Sequence, residues 1–334
     1  MDENIKKLKE ISENLANNKD ADIFVYSGEI EKPFDERIIR ECCNRKRREN
    51  VILILCTYGG SPSVAYRIAR CFQQKYTKFI IWIDGQCKSA GTLLTVGAHE
   101  IVIGDYGELG PLDVQIRKKD ELWESDSGLT ILSAINALEE KSFELFEACF
   151  LKLKNRSGGN ITLKMATELA SKLAIGIMEP IIAQIDPVNL GEVDRALNIG
   201  LEYGKRLSEV SNNLKGDALN TLVNSYPAHS FVIDRQELMG LFSNIREPES
   251  QENELLELLF EFIRNPLLET VFINLLDKLK EEENENHNDK NLARGAENKG
   301  AAVSDAEQVI ASEKKTGAKK SKGNNRKVIK IKQV

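Results

Sequence analysis

The chain has 334 residues, with 46 Lys and Arg against 52 Asp and Glu, for a formal net charge of −6. That length provides ample core for one large domain or two modest ones, and the acidic balance excludes a generally nucleic-acid-binding surface. The six cysteines lie in apolar runs and helices without C-x-x-C spacing, which excludes a disulfide framework or zinc site and reads as reduced thiols.

The N-terminus carries no basic segment followed by an apolar one, so no secretory signal is expected. No apolar run approaches the roughly 20 residues that span a bilayer. The expectation is a cytoplasmic protein. Ile5, Leu8, Ile11 and Leu15 recur at helical spacing and predict an amphipathic lead-in helix over 3–17. Asp22 to Gly28 reads as a first strand and turn, and Asp35 to about Arg48 as a basic helix. Val51 to Cys56 is a continuous apolar run of strand length that ends at Gly59-Gly60. A helix comes next, with Ser61 as N-cap, Pro62 in the first turn and Val64, Ile68, Cys71 and Phe72 on one face. Phe79 to Ile83 repeats the scheme and ends at Gly85, and Ile101 to Ile103 is followed by Gly104, Gly107 and Gly110. Runs apolar on both faces suit buried parallel strands joined by crossover helices.

After Asp113 the period turns helical. Leu129 to Leu153 predicts a long helix ending near Asn155, with Lys141 inside it. From Thr162 to Leu207 the pattern is mostly helical, with breaks expected at Pro180 and at Asp186-Pro187. Asp234 is placed to cap a helix starting near Arg235. From Glu252 to Leu279 the apolar spacing predicts two helices on either side of Asn265-Pro266. Beyond residue 280 an acidic, Asn-rich segment gives way to a Lys-rich one, too polar to offset the entropy of ordering, so a disordered tail is expected. Its basic end offers only weak, nonspecific contact to nucleic acid or other anionic partners.

The chemistry concentrates at three strand-then-turn pieces: Tyr58-Gly59-Gly60-Ser61, Gly85-Gln86-Cys87-Lys88-Ser89-Ala90-Gly91 and Leu109-Gly110-Pro111-Leu112-Asp113. Each sets small residues at the end of an apolar strand, where a substrate backbone can approach. Ser89 is the candidate nucleophile. A serine hydroxyl needs a base to take its proton and donors for the oxyanion it creates. With Ser89 opening a helix, the Ala90 amide is one such donor, because first-turn N–H groups lack intrahelical partners. The Gly59 or Gly60 amide is the second.

Gly-Gln-x-x-Ser-x-Gly, one strand and helix after a Gly-Gly turn, resembles the Clp-type and signal-peptide-peptidase serine peptidases. Glu108 to Gln115 resembles a segment of the group called serine dehydrogenase proteinases. The resemblance is firm over about residues 50–116, weaker to about 245, and silent beyond. It implies an α/β fold of the Clp/crotonase kind, a superhelix of ββα units with a mostly helical C-terminal part, and a triad in the order Ser, Asp, His. That suggests an N-terminal helix over 1–20, a serine peptidase domain over 21–245, a C-terminal helical segment over 246–280 and the tail over 281–334.

The triad would be Ser89, Asp113 and a downstream histidine. Of three histidines, His287 lies in a charged segment and His99 starts a strand away from Ser89, so elimination favours His229, held between Pro227 and a short apolar run. Asp186 is the second-choice acid, with a helix-starting role as its alternative. Serine-lysine peptidases of the wider superfamily make Lys141 the rival base, with pairing to Glu140 or Glu144 as its ordinary use. The implied activity is hydrolysis of peptide or protein substrates without a metal or cofactor, in a homo-oligomer. No phosphate-binding Gly-x-x-x-x-Gly-Lys-Ser/Thr loop is present, so unfolding of substrates would fall to a separate ATP-dependent chain. Two alternatives stay open: a catalytically silent scaffold of the same fold, and an acyl-CoA thioester enzyme of the crotonase kind.

Overall fold

The computed structural model describes residues 3–44, 48–112, 115–117, 125–228 and 230–280. Its first part alternates helix and strand as α1 (Glu3–Asn18), β1 (Ala21–Ser27), α2 (Phe34–Asn44), β2 (Asn50–Cys56), α3 (Pro62–Lys75), β3 (Lys78–Ile83), β4 (Gln86–Cys87), α4 (Ala90–Val96), β5 (Glu100–Ile103) and β6 (Glu108–Leu109). A small antiparallel pair comes next, β7 (Gln115–Arg117) and β8 (Ser125–Ser127), then α5 (Gly128–Arg156), α6 (Leu163–Ile182), α7 (Pro187–Ser211), α8 (Ala218–Asn224) and α9 (Arg235–Leu241). The described chain closes with β9 (Ile245–Arg246), α10 (Ser250–Leu258), α11 (Phe260–Ile263) and β10 (Val271–Asn274), and residues 275–280 are helical.

The unbroken apolar runs do what their composition demands. They form a six-stranded sheet in the order β10-β1-β2-β3-β5-β9, parallel throughout except for antiparallel β10. Successive strand residues point to opposite faces, so each strand feeds two cores. Phe24, Tyr26, Leu53, Leu55, Phe79 and Ile81 pack on the side of α2, α3 and α4. Ile23, Val25, Ile52, Ile54, Ile80 and Trp82 pack on the other, beneath α1 and the helices after β9. Leu8, Ile11 and Leu15 bring α1 onto this second face, so the lead-in helix is an integral layer of the sheet domain. Each fully buried aliphatic side chain contributes roughly 1.5–3 kcal/mol. The mixed α/β architecture with a parallel sheet is therefore written into the strand composition.

Two sequence expectations fail locally. Residues 267–279 keep helical spacing, yet Val271–Asn274 is a strand paired with β1 from Phe24↔Asn274 to Ser27↔Val271. The exposed ladder of β1 needs a partner, and a Val-Phe-Ile run at its edge supplies one while Phe272 packs 5.3 Å from Phe24. Pro180 does not break α6, which continues to Ile182; the proline removes one helical donor, the one that would reach the Gly176 carbonyl a turn earlier, and the helix runs on past it. The expected caps are present: Asp186 Oδ1 accepts from the Val188 amide at 2.9 Å to start α7, and Asp234 Oδ1 accepts from Glu237 at 2.9 Å to start α9. Ser61 stands at the N-cap of α3, but its hydroxyl bonds Ser63 at 3.0 Å instead of the helix amides.

The β5–β9 edge is tied to α10 by buried charge. Arg246 donates to Glu252 Oε2 at 2.6 Å and Oε1 at 2.8 Å and to Glu100 Oε1 at 2.7 Å, while Lys19 Nζ reaches Glu252 at 2.9 Å and Lys78 pairs with Glu100. Burial alone pushes both carboxyls up. The hydrogen bonds from Arg246, with the Glu249 amide and Lys19 for Glu252 and Lys78 for Glu100, outweigh it and hold both below the usual range. Groups with a depressed folded pKa stabilise above their unfolded value and lose that contribution as pH falls through the folded one. Replacing Arg246 by Met leaves the fully buried Glu252 carboxylate with only Lys19 and the Glu249 amide, at a cost of about 3 kcal/mol. In urea titrations the wild type should lose stability as pH drops below about 4.5, and Arg246→Met should be weaker at pH 7 with a flatter acid limb. Equal stabilities at pH 7 would refute this role for Arg246.

Candidate active site

The parallel strands end at one side of the sheet, and the site is assembled from the turns that leave them. β2 runs into Thr57 and then the Tyr58-Gly59-Gly60-Ser61 turn. β3 runs through Asp84 and Gly85 into β4, Lys88 and Ser89, at the start of α4. β5 runs through 104–107 into β6. These continuations form a short second ladder: Thr57 donates its amide to Gln86 O at 2.7 Å, Lys88 N donates to Thr57 O at 3.0 Å, and β4 pairs in parallel with β6. Leu109 and Ile233 then exchange backbone bonds at 3.0 and 2.9 Å. The pieces singled out in the sequence thus lie side by side.

Ser89 is 7% exposed and has φ 50° and ψ −110°. A left-handed φ is uncommon for a residue with a Cβ and is sustained only where the surroundings enforce it. Here the enforcement is visible. Lys88 O accepts from Gly91 N at 2.8 Å, Ser89 O accepts from Leu93 N at 3.1 Å, and Lys88 N is held by Thr57. The Ser89 hydroxyl does not cap α4. A strained strand-to-helix turn that lifts a serine side chain off the backbone is the geometry of a nucleophile elbow.

Gly59 explains why the neighbouring turn is glycine. It has φ 119°, and a Cβ there would stand 2.8 Å from the Ser89 Cβ and 3.3 Å from its Oγ. Gly91 is required for a different reason, since a Cβ there would meet Thr57 Cγ2 at 2.5 Å and prevent α4 from seating on the β2 extension.

The amides divide between structure and availability. Gly59 N–H donates to Thr57 Oγ1 at 2.9 Å, so that donor is spent on the turn. Among the described residues, neither the Gly60 nor the Ala90 amide makes a hydrogen bond. A cleft of about 650 Å³ opens beside Ser89 and the Gly60 turn, lined by Tyr58, Gly59, Gly60, Ser61 and Ser89, with Glu29 and Glu31 on one side and Pro266, Leu267 and Leu268 on another.

Lys88 is a residue that the sequence pattern does not single out. It is 6% exposed, and its ammonium bonds Glu108 Oε1 at 2.9 Å, Leu109 O at 3.2 Å and Phe231 O at 3.3 Å. It therefore pins the residue before Ser89 to both the β6 and the 231–233 segments. Its one signal is a lone charge in an otherwise small and apolar run. The buried thiol of Cys87 is pushed up to about 12 by burial, which rules it out as a neutral-pH nucleophile.

Of the other candidates, Asp113 and His229 lie outside the described residues. Lys141 is on the surface of α5, paired with Glu144 Oε2 at 2.7 Å, and this hydrogen bond and the adjacent charge raise its pKa. A base needs the opposite shift. Asp186 is engaged as the cap of α7. His99 Nδ1 accepts from the Phe79 amide at 3.1 Å at the start of β5, and burial pushes its pKa down. Among the described residues no group of His, Cys, Asp and Glu is arranged to hold a metal, and no helix is long and apolar enough to cross a membrane.

Substituting Gly59 by Ala should displace Ser89 and destabilise the chain by about 1–3 kcal/mol through overpacking. Lys88→Met should cost about 3 kcal/mol, because it leaves the Glu108 carboxylate and two carbonyls without their donor. Thermal unfolding of the two variants checks both values, and a melting temperature unchanged in either would contradict the packing described here.

No family model matches the chain, and no curated protein matches it. Among solved structures, a serine-to-alanine mutant of a membrane-bound stomatin-specific protease aligns with a TM-score of 0.26 and 18% identity, over 46% of this chain and 70% of that one. At that score the likeness carries no argument about this chain, whose own geometry defines the site.

Proposed function

We propose that the chain is a serine peptidase working through an acyl-enzyme on Ser89. The observation that carries this reading is a serine at positive φ in a cleft, beside two amides, Gly60 and Ala90, that make no hydrogen bond among the described residues. In this reading Ser89 Oγ attacks the substrate carbonyl carbon while a base takes its proton. The carbonyl oxygen gains the negative charge and is held by the Gly60 and Ala90 N–H groups. The base then returns the proton to the leaving amine, and water repeats the sequence on the ester. Each oxyanion donor is worth on the order of 10²–10³ in rate. Gly59 serves by having no side chain, and its amide stays with Thr57.

The base is His229, oriented by Asp113, as the resemblance to serine dehydrogenase proteinases implies. Lys141 is the weaker alternative, since its ion pair with Glu144 keeps it protonated at neutral pH. Thioester chemistry of the crotonase kind would use the same two amides but gives no reason for the strained serine.

Labelling with a fluorophosphonate, with the adduct located by mass spectrometry, separates these readings. The adduct should form on Ser89, vanish in Ser89→Ala, fall at least about 10²-fold in His229→Ala, and persist in Lys141→Ala. Its rate should rise with pH through the histidine range near 6.5. A rate that climbs only in the lysine range and is lost in Lys141→Ala would transfer the base to Lys141. No adduct on Ser89 would refute the peptidase reading and favour the scaffold or thioester alternatives.

A further inference from the structure

The acidic side of the Ser89 cleft is set in place by the backbone. Residues 29–31 run alongside the Gly59-Gly60 turn: Ile30 N donates to Gly59 O at 2.8 Å, and Ser61 N donates to Ile30 O at 2.7 Å. Ile30 is fully buried in the core, and side chains alternate along an extended segment. Glu29 and Glu31 therefore both emerge on the side of the cleft, about 7 Å apart along the chain. Their carbonyls are fixed as well. Glu29 O accepts from Tyr26 Oη at 2.7 Å and from Thr270 Oγ1 at 3.2 Å, and Glu31 O accepts from Phe34 N at 3.1 Å. The same hydrogen bonds that shape the Gly60 turn thus fix where the two carboxylates stand relative to it.

Among the described residues lining the cleft none is Lys, Arg or His, and Lys32, next in sequence, does not line it. Two cations adjoin the other lining segments in sequence, and both are committed elsewhere. Lys88 is spent on Glu108 and two carbonyls, and Arg264 donates to Asp84 O at 2.9 Å and pairs with its carboxylate at 3.4 Å. The bank formed by Pro266, Leu267 and Leu268 is apolar, and Leu268 and Tyr58 are exposed. A cleft carrying one sign of charge between low-dielectric walls concentrates ligands of the other sign. We infer that the substrate is an extended peptide stretch bearing Lys or Arg, with its cationic side chains at Glu29 and Glu31 and an apolar neighbour against residues 266–268. The inference rests on the reading of this cleft as the substrate site of Ser89 and names what that site selects. Both carboxylates are exposed, so the selection is moderate, about tenfold for two charge pairs, and it is screened by salt.

Fluorescence anisotropy on the full chain carrying Ser89→Ala, which consumes no peptide, tests it. The probes are rhodamine-labelled ten-residue peptides that contain two leucines and differ only in having Lys, Gln or Glu at two alternate positions. At about 50 mM salt the Lys peptide should bind about tenfold more tightly than the Gln peptide and more tightly still than the Glu peptide. At about 1 M salt the three should agree within about threefold. Serine in place of the leucines should weaken binding at least about threefold. Adding Glu31→Lys should erase the preference, and Glu29→Lys together with Glu31→Lys should invert it in favour of the Glu peptide, which a damaged fold would not do. Equal affinities for the three peptides, a preference indifferent to Glu31→Lys, or a double variant that still favours Lys would each overturn the inference. Labelling the wild type with the fluorophosphonate keeps this inference apart from the catalytic one. An adduct on Ser89 beside equal affinities refutes the charge selection and leaves the peptidase. No adduct beside an invertible Lys preference refutes the hydrolysis and upholds the selection of basic peptides.

Discussion

The approach of the Gly59 turn to Ser89 is the constraint on which the site depends. Two consecutive strands of a parallel sheet lie next to each other, so the turns that leave them must share the same small volume. Thr57 resolves the crowding by pairing its backbone with Gln86 and Lys88 while its hydroxyl holds Gly59. The remaining freedom is small enough that Ser89 sits at φ 50°. A relaxed serine at this position would require the two turns to separate, and the β4 ladder would separate with them.

Lys88 extends the same logic outward. Burying an ammonium is costly unless every proton finds an acceptor, and here one carboxylate and two carbonyls from different segments meet that demand. The charge therefore selects one arrangement of the β4, β6 and 231–233 segments out of the many that apolar packing would tolerate. On the opposite edge, Arg246 plays an equivalent part between β5, β9 and α10. Both charges sit at seams where elements distant in sequence are joined.

The range of the forces involved decides how much of this is legible in the sequence. Strand runs such as Val51 to Cys56 and caps such as Asp186 and Asp234 are specified by local composition, and the structure bears them out. The glycines around Ser89 are legible because only a close backbone approach explains them at that spacing. The strand at Val271–Asn274 is hidden, because its apolar spacing fits a helix and only the unpaired ladder of β1 decides otherwise. Lys88 is hidden for the converse reason: its three acceptors come from residues 108, 109 and 231, which nothing in the chain's linear order places together. The spending of the Gly59 amide on Thr57 is likewise invisible, since it depends on a side-chain rotamer and not on a pattern.

The segment that closes the β1 edge also walls the cleft. Leu267 donates its amide to Ser27 Oγ at 3.3 Å, Thr270 Oγ1 donates to Glu29 O at 3.2 Å, and β10 begins at Val271. Pro266, Leu267 and Leu268 are thus the lead-in to an edge strand and one bank of the cavity before Ser89 at the same time. The aperture is consequently a property of sheet registry: sliding β10 along β1 by a single pair would carry that bank roughly 3.4 Å along the strand axis, without any change in the residues that surround the serine.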